Sequence, residues 1–176
     1  MYQQEKEGEP MNNNTAEIQA QNDYQKALSQ AFWRKARQWL GRGCNDLLSY
    51  DEVFQFLKKQ PQRQLGLQNV ALEQIVGSAG RYNDFDLAYN PRRTLNQQRW
   101  VKVAAAKYQG IKMPPVLLYK VGEAYFVEDG NHRVSVARVN GEKDIKAKVI
   151  EIDVSNLRAE PLCTRLGYKL DNRQSC

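Results

Sequence analysis

Histidine occurs once in these 176 residues and cysteine only three times, at Cys44, Cys163 and Cys176. No two of these sulfur and imidazole groups stand at metal-ligand spacing, so a zinc site built from the protein alone is excluded. Three scattered cysteines also exclude a disulfide framework. No apolar run approaches the roughly eighteen residues that a membrane-spanning helix needs. The first residues are polar, rich in Gln, Asn and Glu, with no apolar stretch of the kind that directs secretion; a cytoplasmic location is expected. No internal repeat is present. The apolar fraction, 41%, suffices for one core of about a hundred residues.

What is there in excess is positive charge, a formal +6, unevenly spread. Residues 1–23 hold one lysine against five acids, a net of −4, whereas residues 24–63 hold eight basic residues against three acids, a net of +5. Residues 1–22 lack hydrophobic periodicity and read as a disordered tail. Residues 23–62 read as a helical module. In its first helix, Tyr24, Ala27, Leu28, Ala31, Phe32, Ala36, Trp39 and Leu40 recur at helical spacing. Ser49 and Glu52 form a capping-box pattern opening a second helix through Val53, Phe56 and Leu57. The basic face at 24–40 is the surface on which nucleic acid would bind, although such a stripe more commonly packs against its own domain.

Beyond residue 66 the pattern is mixed, which gives an α+β fold class. A strand is expected near 67–71, a one-turn helix at 72–75, and a polar loop from Gly77 to Asp86. Thr94 is placed to cap a helix carrying Trp100, Val103, Ala104 and Tyr108. Strands at 115–119 and 124–128 flank the turn Val121-Gly122-Glu123. A short helix closed by Asn140-Gly141 leads to a strand at 145–152. Residues 156–176 read as a C-terminal tail.

The most informative stretch is Tyr125 to Arg138. An apolar strand breaks at Asp129-Gly130, and a helix begins at once, placing Asn131, His132 and Arg133 on its first turn. There the backbone N–H groups precede the first intrahelical bond and the dipole is positive, an arrangement suited to an anion, above all a phosphate. Gly130 permits close approach, Arg133 can fork two oxygens, and Asn131 and His132 add donors. The plainer alternative makes Asn131 an ordinary N-cap and pairs Arg133 with Glu128 or Asp129.

This segment resembles the phosphate-binding turn of the ParB/sulfiredoxin superfamily. Val70 to Val76, Gly110 to Tyr119 and Asp144 to Ile150 are similar, in the same order, to other strands of that fold. The resemblance covers roughly residues 66–155 and implies a small ParB/sulfiredoxin-like domain. It implies a nucleotide or another phosphorylated small molecule held between Gly130–Arg133 and the loop after the first strand, where Arg81 is the expected second contact. Mg²⁺ with the nucleotide is the implied cofactor, through Asp129, since that ion takes one or two carboxylates plus phosphates. Where sulfiredoxins carry a catalytic cysteine directly before His-Arg, this sequence has Asn131, so sulfinic acid reduction is not expected.

The sequence is compatible with three functions. One is a nucleotide-dependent regulator or nucleotide hydrolase. The second is a Mg²⁺-dependent small-molecule phosphotransferase with Asp84, Asp86 or Glu128 as base. The third is a DNA-associated or protein-interaction module without catalysis.

Overall fold

The computed structural model describes residues 10–40, 48–49, 60–79, 83–86, 88–92 and 97–153, with backbone alone for 32–40 and 48–49. Three helices are described: α1 (Asn13–Leu40), α2 (Gln97–Tyr108) and α3 (Asn131–Val139). Six strands form one mixed sheet: β1 (Leu48–Ser49), β2 (Gln62–Ala71), β3 (Ile75–Ser78), β4 (Val116–Val121), β5 (Ala124–Asp129) and β6 (Asp144–Ile152). Their order across the sheet is β1-β3-β5-β4-β6-β2. The α+β class expected from the sequence is the class observed.

Alternation along the strands turns Val70, Val116, Leu118, Val127, Ala147 and Val149 into one buried cluster with Trp100, Ala104, Val134 and Ala137 from the helices. The β4–β5 hairpin closes through Gly122-Glu123, with Val121 opposite Ala124. The end of α3 also forms as its residues dictate. Gly141 takes φ +72, its N–H donates to the Arg138 carbonyl, and Glu142 N–H donates to Ala137, a Schellman closure.

Several sequence expectations need correction. The tail assigned to 1–22 is helical from Asn13, capped by Asn12, whose Oδ1 accepts the Thr15 N–H at 3.0 Å. Ala16 and Ala20 are fully buried and continue the stripe through Tyr24, Ala27 and Ala31. Alanines contribute little to a hydropathy pattern, yet they bring α1 close against α2, where Tyr24 packs 5.4 Å from Trp100. At the other end of α2, Tyr108 Oη donates to Asp23 Oδ2 at 2.7 Å. Burial and that carboxylate hold the Tyr108 phenol well above its ordinary range. The first helix of the 23–62 module is therefore part of the same core. The helix expected through Val53, Phe56 and Leu57 lies outside the described residues, and Ser49, its expected cap, stands in β1 beside Ser78.

The sheet domain starts earlier than residue 66, because Gln62 already pairs with Ile152. The helical turn at 72–74 is present, but Ile75–Ser78, assigned partly to that turn and partly to a loop, is strand β3. Four residues with two large apolar side chains make a weak strand signal. Parallel neighbours on both sides, β1 and β5, make the strand.

One cross-strand cluster gives a pH prediction. Glu151 on β6 accepts from Arg63 of β2 at 2.6 Å and from Lys120 of β4 at 3.3 Å. These two cations, Arg63 foremost, hold the Glu151 carboxyl below its ordinary range. A depressed folded pKa contributes stability above the unfolded value, near about 4.3, and that contribution disappears as pH falls through the folded value. Glu151→Gln is expected to flatten the stability-against-pH curve as pH falls below the ordinary carboxylate range, measured by urea unfolding.

Candidate functional site

The β3 and β5 strands run parallel, and their carboxyl ends open on the same side. The chain leaves β5 through Gly130 at φ +106 and enters α3 directly. An ideal Cβ on Gly130 would lie 2.6 Å from Val116 Cγ1 and 3.0 Å from an Arg133 nitrogen, so only glycine fits this turn. Gly130 rather than Asn131 caps the helix, and the first intrahelical bond joins Val134 N–H to the Gly130 carbonyl at 3.0 Å. The amides of residues 131–133 precede that bond.

This turn forms one wall of an open cleft of about 250 Å³. Ala79, just past β3, and Arg99 and Val103 of α2 line it together with the run from Glu128 to Arg133. The placement matches the general tendency of ligands to sit outside the carboxyl ends of parallel strands. Asn131 is 5% exposed, and its side-chain oxygen is buried without a hydrogen-bond partner among the described residues. Leaving a buried acceptor unmade costs about 1–3 kcal/mol, so a native fold that retains one calls for a partner or a function.

The cations of the cleft differ in kind. Arg133 is held on three sides: by the carbonyls of Pro114 and, at 3.0 Å, Pro115, and by Asp129 Oδ2 at 2.5 Å. The plainer sequence alternative, an Arg133–carboxylate pair, is thus present, and Asp129 is the partner. Arg99 is exposed and makes no ion pair among the described residues.

His132 differs from its expected role. Its ring packs edge-on to Phe85 at 5.4 Å, and both ring nitrogens are closed off from solvent. Its imidazole belongs to the wall, and its backbone N–H is the group in the first turn. The expected acids separate as well. Glu128 and Asp129 line the cleft, whereas Asp84 and Asp86 do not. The buried Asp86 carboxylate organises its own turn, accepting from the Ala88 and Asn90 N–H groups at 2.9 and 2.8 Å. Arg81, expected opposite the helix, lies outside the described residues, as does Thr94.

Arg99 was missed by sequence reasoning, and only packing brings it to the cleft. Trp100 Nε1–H donates to Ser135 Oγ at 2.8 Å, and that hydroxyl donates to the Tyr89 carbonyl at 2.5 Å. This relay pins α2, α3 and the 88–92 loop together. Tyr89, at φ +61, donates through its hydroxyl to the Gly77 carbonyl at 2.7 Å. Burial raises its phenol far above the ordinary range, with Arg138 acting in the opposite sense.

No protein-family model matches the chain, and no curated protein matches it. Among solved structures the chain is similar to sulfiredoxin from Arabidopsis thaliana, at 18% identity, with a TM-score of 0.38. The match covers 52% of this chain and 92% of that one. A likeness of that size concerns architecture and says nothing of the site. No helix among the described residues is long and apolar enough to cross a membrane.

Proposed function

We propose that the cleft binds a phosphate ester, with a nucleotide as the class implied by the sequence resemblance. The observation that carries this reading is the N-terminus of α3, with its 131–133 amides ahead of the first intrahelical bond, opening into a cleft that Arg99 also lines. Amides of a first helical turn aim at an anion and cost no reorganisation when it arrives. Arg99 supplies charge from α2, and Arg133, anchored on two carbonyls, supplies it from α3.

A second reading, phosphoryl transfer, is favoured by Glu128. Of the three acids considered as base, it alone lines the cleft. General-base catalysis requires a carboxylate within reach of the substrate hydroxyl, and Glu128 stands on the same rim as the proposed phosphate position. Without ligand the two rim acids do not present a converged pair for Mg²⁺, because Asp129 pairs with Arg133. The ion fits only as a companion of ligand phosphates, with one carboxylate added by the protein.

The test is thermal unfolding against CTP, ATP, ADP, GTP and inorganic phosphate, with and without Mg²⁺, for wild type and Arg99→Ala. A ligand at a hundred times its dissociation constant adds about 2.7 kcal/mol, a shift of roughly 5–10 °C for a domain of this size. Arg99→Ala is expected to weaken binding by about tenfold or more while leaving the unliganded melting temperature within a few degrees. Absence of any shift in the wild type overturns the reading.

A further inference from the structure

The Arg133 guanidinium already holds an anion, and that anion is the protein's own. One terminal nitrogen donates to the Pro114 and Pro115 carbonyls, which fixes the group in place, and the other meets Asp129 Oδ2 at 2.5 Å. The two partners are unequal. The Arg133 side chain is 13% exposed and cannot leave, whereas that of Asp129 is 66% exposed and can turn into solvent. Both line the cleft that opens at the α3 N-terminus. The pair spans i to i+4 across the strand–helix junction, and both residues line the cleft that the proposed phosphate would enter.

We propose that Asp129 is a built-in counter-anion, occupying Arg133 until a phosphate group displaces it; this inference rests on the phosphate-site reading above. Asp129 then acts against binding although it lies within the site. It raises the threshold that any incoming anion must exceed, and it leaves the anchored guanidinium unchanged when it departs. A neutral or weakly acidic ligand gains too little from Arg133 to replace an intramolecular carboxylate. A phosphate group, with several oxygens shared between the helix amides, Arg99 and Arg133, gains enough.

The other charged and titratable residues that line the cleft with this pair are Glu128 on β5, Arg99 on α2 and His132 on α3. All three are common to wild type and an Asp129→Asn variant, so comparing the two isolates the carboxylate. The experiment is an NMR titration of the full chain with inorganic phosphate, following the backbone amides of residues 130–133 and the Arg133 side-chain N–H signal. Asp129→Asn is expected to bind phosphate roughly fivefold more tightly than wild type, the scale of an exposed ion pair. In wild type the Arg133 signal should move on phosphate addition towards its position in the variant. Glu128→Gln removes the same charge one residue away without touching Arg133, and its effect should be clearly smaller.

Equal or weaker phosphate binding by Asp129→Asn, with the wild-type amides responding, overturns the counter-anion and leaves the phosphate site standing. An equal gain from Glu128→Gln also overturns it, since general charge then accounts for the effect. Amides that respond in neither wild type nor variant overturn the phosphate reading itself.

Discussion

Replacing Gly130 by alanine is expected to lower the melting temperature by about 10 °C, the combined result of overpacking and backbone strain. The added Cβ falls 2.6 Å from Val116 Cγ1, inside any permitted carbon–carbon distance, and Val116 is itself 1% exposed and enclosed. Overpacking of this kind costs about 1–3 kcal/mol. Holding a non-glycine residue at φ +106 adds roughly 1–3 kcal/mol more. The two contributions separate in a double variant. Gly130→Ala with Val116→Ala relieves the 2.6 Å contact but leaves the residue-116 Cβ at 3.0 Å and the backbone strain, so it should show less than additive loss. An additive result, read from denaturant midpoints, would place the clash elsewhere. The same Cβ comes within 3.0 Å of the Arg133 head, so the single variant should also lose phosphate affinity if it folds.

Trp100→Ala is expected to cost about 3–5 kcal/mol, the usual range for an enclosed tryptophan. Trp100 is fully buried between α1 and α3, in tilted ring contact with Tyr24 and bonded through its N–H to Ser135. Ser135→Ala examines the polar part alone. It leaves the Trp100 N–H and the Tyr89 carbonyl without the hydroxyl between them, at a cost of about 1–3 kcal/mol. A Ser135→Ala protein as stable as wild type, by urea denaturation, would show that the relay contributes nothing beyond packing. Because α2 carries Arg99 and α3 begins at the cleft, damage to this junction should also reduce ligand affinity more than its distance suggests.

The strand–Gly–helix turn at 129–133 was legible in the sequence because every part of it is local. An apolar run, a residue with no Cβ and the onset of helical spacing lie within a few positions, and short-range sterics decide the rest. The β4–β5 hairpin and the Asn140-Gly141 closure of α3 were legible for the same reason. The start of α1 was not, since Ala16 and Ala20 become core residues only when α2 lies against them. Nor was β3, whose four residues take their strand form from the neighbours on either side.

The site divides along the same line. The strand–glycine–helix turn and the acids Glu128 and Asp129 stand together in sequence, so local type and spacing determined that first-turn amides, an arginine and two carboxylates would share one junction. Which acid pairs with Arg133, which acid is spent on its own turn, and whether the imidazole faces a ligand or a phenyl ring are matters of direction. Direction depends on how strands end and helices cross. Arg99 is the clearest case: it lies about thirty residues from the turn, and it reaches the cleft only because Trp100 and Ser135 fix α2 to α3. Local sterics and the hydrophobic pattern act between chain neighbours and so are written in the sequence. The convergence of charges from separate elements exists only once the core has packed.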